Sequence, residues 1–276
     1  MINATGNRMT QEIARQSRMA SNIAAKQVQV STGKRLQRAS DDPVATSRLA
    51  NLKRAQANDT ARASNINLGI TLTAQADGQM RTMSDLLART KELTIAGASA
   101  SLSPADRVSI AAEINVMADE IEAMALAKSP TGQPLFAVGS SISIRFDDNI
   151  MFAPVPTRAE IFAAGGTPIS QIMRDAASAI SANDTSQINV GLTSVEGAIN
   201  HAADITAKIG LTAARLDRLQ ETRELRKISI SEERSKLEDT DLSSAIAELN
   251  GMTLTLEAAQ AAFARINRRT LMDFLS

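Results

Sequence analysis

The apolar residues of this chain recur every three or four positions over most of its 276 residues. That spacing puts them on one face of an α-helix, and the Ala, Leu, Arg, Gln and Glu residues around them favour helix. Gly and Pro interrupt the pattern at only a few places. The sequence therefore predicts a mainly α-helical protein.

The first long helix has a clear start. Asp42 suits the N-cap and Pro43 the first helical position. Helical spacing then continues to about Gly97. A continuous helix of about 55 residues would span roughly 80 Å, which suits a rod better than a compact domain.

Further helices are predicted beyond it. Ser103 and Pro104 start one that we expect to end near Lys128. Helix resumes near Ile169, and a second long helix is expected over residues 186–237. The remaining helical pattern belongs to the carboxyl end.

Residues 133–168 differ in character, because Gly, Pro and Phe concentrate there. Short apolar runs predict a small central β element of two or three strands around Leu135–Val138, Ser141–Phe146 and Ile150–Phe152. We expect this segment to be a small β-hairpin insertion in a helical rod domain, which comprises residues 33–132 and 169–242.

The two chain ends are predicted to pair as a coiled coil of residues 1–32 and 243–276. The carboxyl-terminal seam keeps its three–four spacing for about four heptads, which indicates a partner helix. Its predicted assembly positions are Leu242, Ile246, Leu249, Leu256, Ala259, Phe263, Ile266, Leu271 and Phe274. The amino-terminal stripe is weaker, since glutamines interrupt it, and its positions are Met9, Ile13, Ala20, Ile23 and Val30.

Composition argues against several classes of protein. Thirty basic and thirty acidic residues give a formal net charge of zero, unlike the basic face of a nucleic-acid-binding protein. Cys is absent, His201 is the sole imidazole, and aromatic residues make up 2%, so we predict no catalytic, cofactor or metal site. No apolar run approaches the roughly 20 residues of a membrane span. The amino end lacks a cleavable signal, so we expect a cytosolic protein or one exported by another route.

Charged clusters have simple structural interpretations. Asp42 is expected to cap the long helix and Asp41 to compensate its dipole. The basic run between Arg215 and Lys227 alternates with glutamates, and we expect a solvated helix face.

Three segments resemble the bacterial flagellin superfamily. The first is STGKRLQRASDDPVATSRLANL, residues 31–52, in which Gly33, Asp41, Asp42 and Pro43 carry the motif. Its Asp-Asp-Pro form is similar to the hook–filament junction branch. The segment GQPLFA after the second core helix resembles a family turn. The end, residues 235–276, is also similar to the junction branch.

This resemblance implies a rod of long antiparallel helices whose terminal helices pair. It further implies export through the flagellar type III apparatus and assembly as a ring layer between hook and filament. The implied partners are other copies of the chain, the adjacent hook-associated protein, flagellin, and an export chaperone on the carboxyl-terminal helix. The outer domain is reduced, since only about 35 residues separate the helical halves. A short filament flagellin and a cytosolic coiled-coil signalling or binding rod remain alternatives.

Overall fold

The structure is a computed structural model that describes residues 2–272, with side chains described within 9–265. The described residues confirm the mainly α-helical class, with two small antiparallel hairpins. The elements are α1 (Ile2–Thr32), α2 (Pro43–Gly97), α3 (Pro104–Met124), β1 (Ile144–Asp147), β2 (Ile150–Phe152), α4 (Arg158–Phe162), β3 (Ala163–Ala164), β4 (Thr167–Pro168), α5 (Ile169–Ser181), α6 (Thr185–Glu238) and α7 (Leu242–Met272).

The chain forms two compact units. The central unit is Asn58–Leu225. The terminal unit comprises residues 1–57 and 226–276. Helices α2 and α6 contribute to both.

The central unit has a continuous apolar core made by α2, α3, α5 and α6. Helices α3 and α5 pack directly on each other. Met80, Met83 and Leu87 of α2 are fully buried, as are Ile114 of α3 and Met173 of α5. Their three–four spacing is the pattern that predicts these helices, so the core follows from the sequence periodicity.

The β1–β2 hairpin attaches to helix α2 through Phe146, which is fully buried. A Cβ atom at Gly69 would lie 2.9 Å from the Phe146 ring, so only glycine lets the ring approach the helix this closely. The Asn65 amide donates to the Arg145 carbonyl over 2.8 Å, and Arg62 pairs with Asp147 at 2.8 Å. These contacts fix the hairpin on the central unit.

The predicted strand at Leu135–Val138 is wrong. Leu135 and Phe136 are adjacent and both buried in the helical core, whereas neighbouring strand residues point to opposite faces. The apolar residues of this run are there because they insert into the helical core. The predicted strands near 141–146 and 150–152 are found as β1 and β2.

The terminal unit contains the pair of α1 and α7, which contact each other. The first turns of α2 add Ala45, Leu49 and Leu52, all buried. The predicted bounds of α2 match those observed, whereas α3 ends four residues before Lys128.

Candidate assembly surface on the terminal helices

Helices α1 and α7 each carry one line of less exposed residues at heptad spacing. Because the helices contact each other, we assign these lines to the contact and call them the inner seam. On α1 the line is Glu12, Gln16, Met19, Ile23, Lys26 and Val30. On α7 it is Leu249, Met252, Leu256, Ala259 and Phe263.

The inner seam is rich in polar groups on the α1 side. Lys26 pairs with Glu248 of α7 at 2.6 Å. The Gln16 side-chain nitrogen is buried and has no hydrogen-bond partner among the described residues. A buried unpaired amide costs about 1–3 kcal/mol. The contact between α1 and α7 therefore includes a polar group that lowers its stability.

The structure divides the predicted assembly positions into two sets. Those on the inner seam are Ile23, Val30, Leu249, Leu256, Ala259 and Phe263. Those exposed to solvent are Met9, Ile13, Ala20, Leu242 and Ile246. The side chains of Ile266 and Leu271, and all of Phe274, lie outside the described residues.

We call these exposed residues the outer face of the terminal helices; Met9 and Ile13 lie in the first half of α1, and Leu242 and Ile246 lie at the start of α7. Met9, Ile13, Leu242 and Ile246 are each close to half exposed. Sequence reasoning missed Leu254, which is 67% exposed. Leu254 lies outside the heptad positions of α7. A sequence analysis that looks for one apolar stripe on each helix does not find an apolar residue on another face.

The loop after α1 is hydrogen-bonded to the break between α6 and α7. Gly33 follows the last residue of α1 and has a φ of +68°, the left-handed conformation that commonly ends a helix. Its carbonyl accepts from the Thr240 N–H over 2.9 Å, and the Arg35 N–H donates to the Glu238 carbonyl over 2.7 Å. The Arg35 guanidinium also donates to the Leu237 carbonyl over 3.1 Å. Gly33 and Arg35 therefore hold the end of α1 beside the start of α7.

Asp42 caps α2 as the sequence predicts, since its carboxylate accepts from the Ala45 N–H over 2.9 Å. Pro43 is the first residue of the helix. Asp41 also makes contacts that the sequence did not predict. Its carboxylate accepts from the backbone N–H groups of residues 37 and 38, at 3.1 and 2.8 Å. It thereby stabilises the loop before the helix.

An ion pair and a capping carboxylate stabilise this unit. The Arg48 side chain donates to Glu233 over 2.5 Å, which raises the pKa of Arg48 and lowers the pKa of Glu233. Asp241 starts α7 by accepting from the Ser244 hydroxyl and from the backbone N–H groups of Ser244 and Ser243. These hydrogen bonds lower the pKa of Asp241.

The prediction of a solvated basic face on α6 is wrong for Arg223. Its side chain is 11% exposed, and Asp59 opposite it on α2 is 7% exposed. The guanidinium donates to both carboxylate oxygens of Asp59, over 3.0 and 2.7 Å. Sequence gives no local sign of this pair, because its members are 164 positions apart.

Other polar groups of the central unit have structural contacts. The His201 ring nitrogen Nε2 hydrogen-bonds to the Glu160 carbonyl over 2.9 Å. Thr157 and Glu160 form a capping box that begins α4. Within the part of the chain that the structure describes, no three His, Cys, Asp or Glu residues are grouped as metal ligands. None of the helices described there has the length and apolar character to span a bilayer.

Two models of known protein families match the chain, one over its amino-terminal half and one over its carboxyl-terminal part. The model of the bacterial flagellin N-terminal helical region matches residues 3–140. That of the C-terminal helical region matches residues 192–275. A similar protein is the flagellar filament 30.7 kDa core protein of Treponema maltophilum, 22% identical over 249 residues, which are 86% of each chain.

Solved structures share this fold. One is described as that of a flagellar hook-associated protein from Vibrio parahaemolyticus, with a TM-score of 0.65, 21% identity, and coverage of 72% of this chain and 100% of the other. Another is FlgL from Xanthomonas campestris, with a TM-score of 0.59, 14% identity, and coverage of 67% and 99%.

Proposed function

Because the chain belongs to the bacterial flagellin family, we propose that it is the adaptor subunit that joins the hook of a flagellum to its filament. Membership of that family makes it a structural protein of the flagellum. Its place at the junction rests on the Asp41-Asp42-Pro43 motif and on the similarity of residues 235–276 to the junction branch. The role needs no catalytic group and no cofactor.

The observation that carries this proposal is the incomplete burial of the terminal helices. Their inner seam contains polar side chains, and their outer face exposes Met9, Ile13, Leu242 and Ile246. Completing the burial of a half-exposed apolar side chain contributes about 1 kcal/mol, so covering these four side chains contributes roughly 4 kcal/mol. Neighbouring copies that cover it would stabilise the same helices that they bind.

Assembly through this surface is head-to-tail. A heterologous contact that does not close on itself generates a helical array, and one turn of such an array makes a junction layer. In this proposal residues 1–32 and 243–276 form the inner wall. Residues 33–132 and 169–242 form the helical core, and residues 133–168 form a reduced outer insertion.

The proposed partners follow from that position. They are other copies of the chain, the adjacent hook-associated protein on one side and flagellin on the other. The chain reaches the exterior through the flagellar type III apparatus, with a chaperone covering the carboxyl-terminal helix. An export route that passes unfolded chains suits helices that are weakly stabilised on their own.

A second candidate is a short filament flagellin. The similarity to a filament core protein over 86% of the chain favours it. The two candidates differ in copy number, because a junction layer needs about one turn of subunits and a filament needs thousands. A cytosolic coiled-coil signalling or binding rod is a third candidate, and it predicts stably folded ends.

Electron microscopy of cells that lack the gene tests the proposal. The junction role predicts hooks without filaments, together with flagellin released into the medium. Filament loss without released flagellin would favour the filament subunit. Normal filaments would contradict both roles.

A further inference from the structure

A row of exposed side chains runs along α7 at intervals of four residues, and we call it the α7 ridge. Side chains at this interval form a continuous ridge on a helix surface. All of its members are apolar except Asn250. The members are Leu242, Ile246, Asn250, Leu254, Ala258 and Ala262, each of them exposed. A neighbouring copy that covers this ridge therefore also covers the amide of Asn250.

Asn250 precedes Gly251, and this is the sole Asn-Gly pair of the sequence. In such a pair the backbone nitrogen of the glycine attacks Cγ of the asparagine side chain. The attack closes a succinimide ring and releases ammonia, and water then opens the ring to aspartate or isoaspartate. Glycine favours the attack because it has no side chain to obstruct the approach. Asn250 is therefore the asparagine of this chain whose sequence most favours loss of its amide.

The packing of the described residues does not require glycine at position 251. A Cβ atom there would meet no described atom within 4 Å, and the residue does not have a positive φ. Glycine nevertheless weakens a helix relative to alanine, because it loses more backbone freedom on folding. Gly251 thus lowers the stability of α7 and gains no close contact within one copy.

The residues that follow Gly251 also weaken the helix. The Thr253 hydroxyl donates to the Leu249 carbonyl over 2.8 Å, and the Thr255 hydroxyl donates to the Gly251 carbonyl over 2.7 Å. Threonine has a low helix propensity, and such bonds to the preceding turn slightly destabilise a helix. We therefore expect α7 to open readily at this segment in a free copy.

Opening of the helix controls the reaction of Asn250. A formed α-helix holds the N–H of residue 251 on the carbonyl four residues back, which keeps the attacking nitrogen in the helical hydrogen bond. An open helix releases that nitrogen and lets it reach Cγ. The rate of conversion at Asn250 therefore follows the fraction of time for which α7 is open.

Conversion changes the α7 ridge at its centre. The side chains about one turn from Asn250 are Ile246, Ala247, Thr253 and Leu254. None of them is a cation, so a new carboxylate would have no partner on its own helix. Covering that carboxylate would remove its hydration without compensation. Isoaspartate would also add a carbon to the backbone and interrupt the helix. A converted copy should therefore assemble poorly.

We propose that Asn250-Gly251 is a self-modification site that limits how long an unassembled copy remains able to assemble. In a free copy α7 opens and Asn250 loses its amide, with water as the co-reactant. In a flagellum the neighbouring copies hold α7 closed, and Asn250 persists. This role rests on the proposed function, because it needs copies that assemble through their terminal helices.

Peptide mass mapping of the purified full chain, incubated at neutral pH and growth temperature, tests the chemistry. The matched control is Asp77→Asn, which places the same pair of residues in α2. Gly78 also has open space at its Cβ position, but it lies in the central unit, beside the fully buried Met80. Asp77 pairs with Arg81 on the surface, so losing that pair costs little stability.

We expect position 250 to convert at least about a hundredfold faster than position 77 in the control, because a packed helix opens more rarely. Equal rates at the two positions would overturn the proposal. Protein extracted from flagella after the same incubation should retain Asn250. Conversion as fast in flagella as in the free chain would also overturn it.

A competition experiment tests the effect on assembly. Cells express the unmodified chain together with Asn250→Asp, which carries the charge of the product, or with Asn250→Gln as the matched control. Asn and Asp have similar helix propensities, and glutamine keeps the amide while its longer side chain closes a ring less readily. The ratio of variant to unmodified chain is measured in flagella and in the culture medium.

We expect this ratio in flagella, relative to the medium, to fall about tenfold or more for Asn250→Asp, because its charge must be desolvated. It should stay unchanged for Asn250→Gln. Incorporation of Asn250→Asp as efficient as that of Asn250→Gln would overturn the proposal, because conversion would then leave assembly intact.

The outcomes separate this role from the proposed function. If flagella contain the protein but Asn250 stays intact in the free chain, the self-modification is wrong and the flagellar role stands. If the gene deletion leaves normal filaments, the proposed function is wrong.

Discussion

The buried ion pair between Asp59 and Arg223 gives a sharp prediction about stability. Asp59→Ala leaves a guanidinium that is 11% exposed without its carboxylate. Removing one partner of a buried pair typically costs about 3–5 kcal/mol, because the remaining charge stays desolvated. We expect a loss of that size in the free energy of unfolding. Urea unfolding followed by circular dichroism should show a lower midpoint with an unchanged slope.

Two controls isolate the cause. Glu233→Ala breaks the pair with Arg48, whose side chain is 55% exposed, and should cost at most about 1 kcal/mol. The double variant Asp59→Leu/Arg223→Leu should recover most of the lost stability, because it leaves no unpaired charge. A loss below about 1 kcal/mol in Asp59→Ala would refute the reasoning.

Three further predictions follow from single contacts. Gly69→Val places side-chain atoms against the Phe146 ring and should destabilise the central unit by about 1–3 kcal/mol in the same urea assay; an unchanged midpoint would be incompatible with the close approach. Ala259→Trp puts a large ring into the inner seam and should abolish assembly into flagella on immunoblots while the central unit stays folded, so a normal filament carrying it would count against the seam. Hydrogen bonds lower the pKa of Asp241 below its unfolded value of about 3.9, so its stabilisation of α7 is complete above that pH and is lost as the pH falls through the lower folded value. On assembled flagella, hydrogen–deuterium exchange should show the start of α7 losing protection below about pH 4, and protection that is already lost at pH 6 would contradict this.

Local signals predicted most helix starts. Asp42-Pro43 and Ser103-Pro104 each place a cap beside a proline, and both helices begin there. The box Thr157-x-x-Glu160 carries the same kind of information and begins α4, but the short helix after it lacks the repeated apolar spacing that supported the others.

Long-range features were harder to predict. Asp59 and Arg223 look like ordinary surface residues until the pairing of α2 and α6 brings them together. The inner seam differs from the predicted amino-terminal stripe because Ile13 turns outward while Glu12 lies on the contact. Moving one residue along an α-helix rotates the side-chain direction by about 100°. A stripe that mixes Gln with Ala does not determine which of these directions faces the partner helix.

The central claim is that the terminal helices become fully stable only when neighbouring copies cover them. Hydrogen–deuterium exchange on the purified monomer and on assembled flagella tests it most directly. We predict rapid exchange across residues 9–30 and 243–265 in the monomer, strong protection of the same residues after assembly, and a central unit that is protected in both. Full protection of both terminal helices in the monomer would contradict the account.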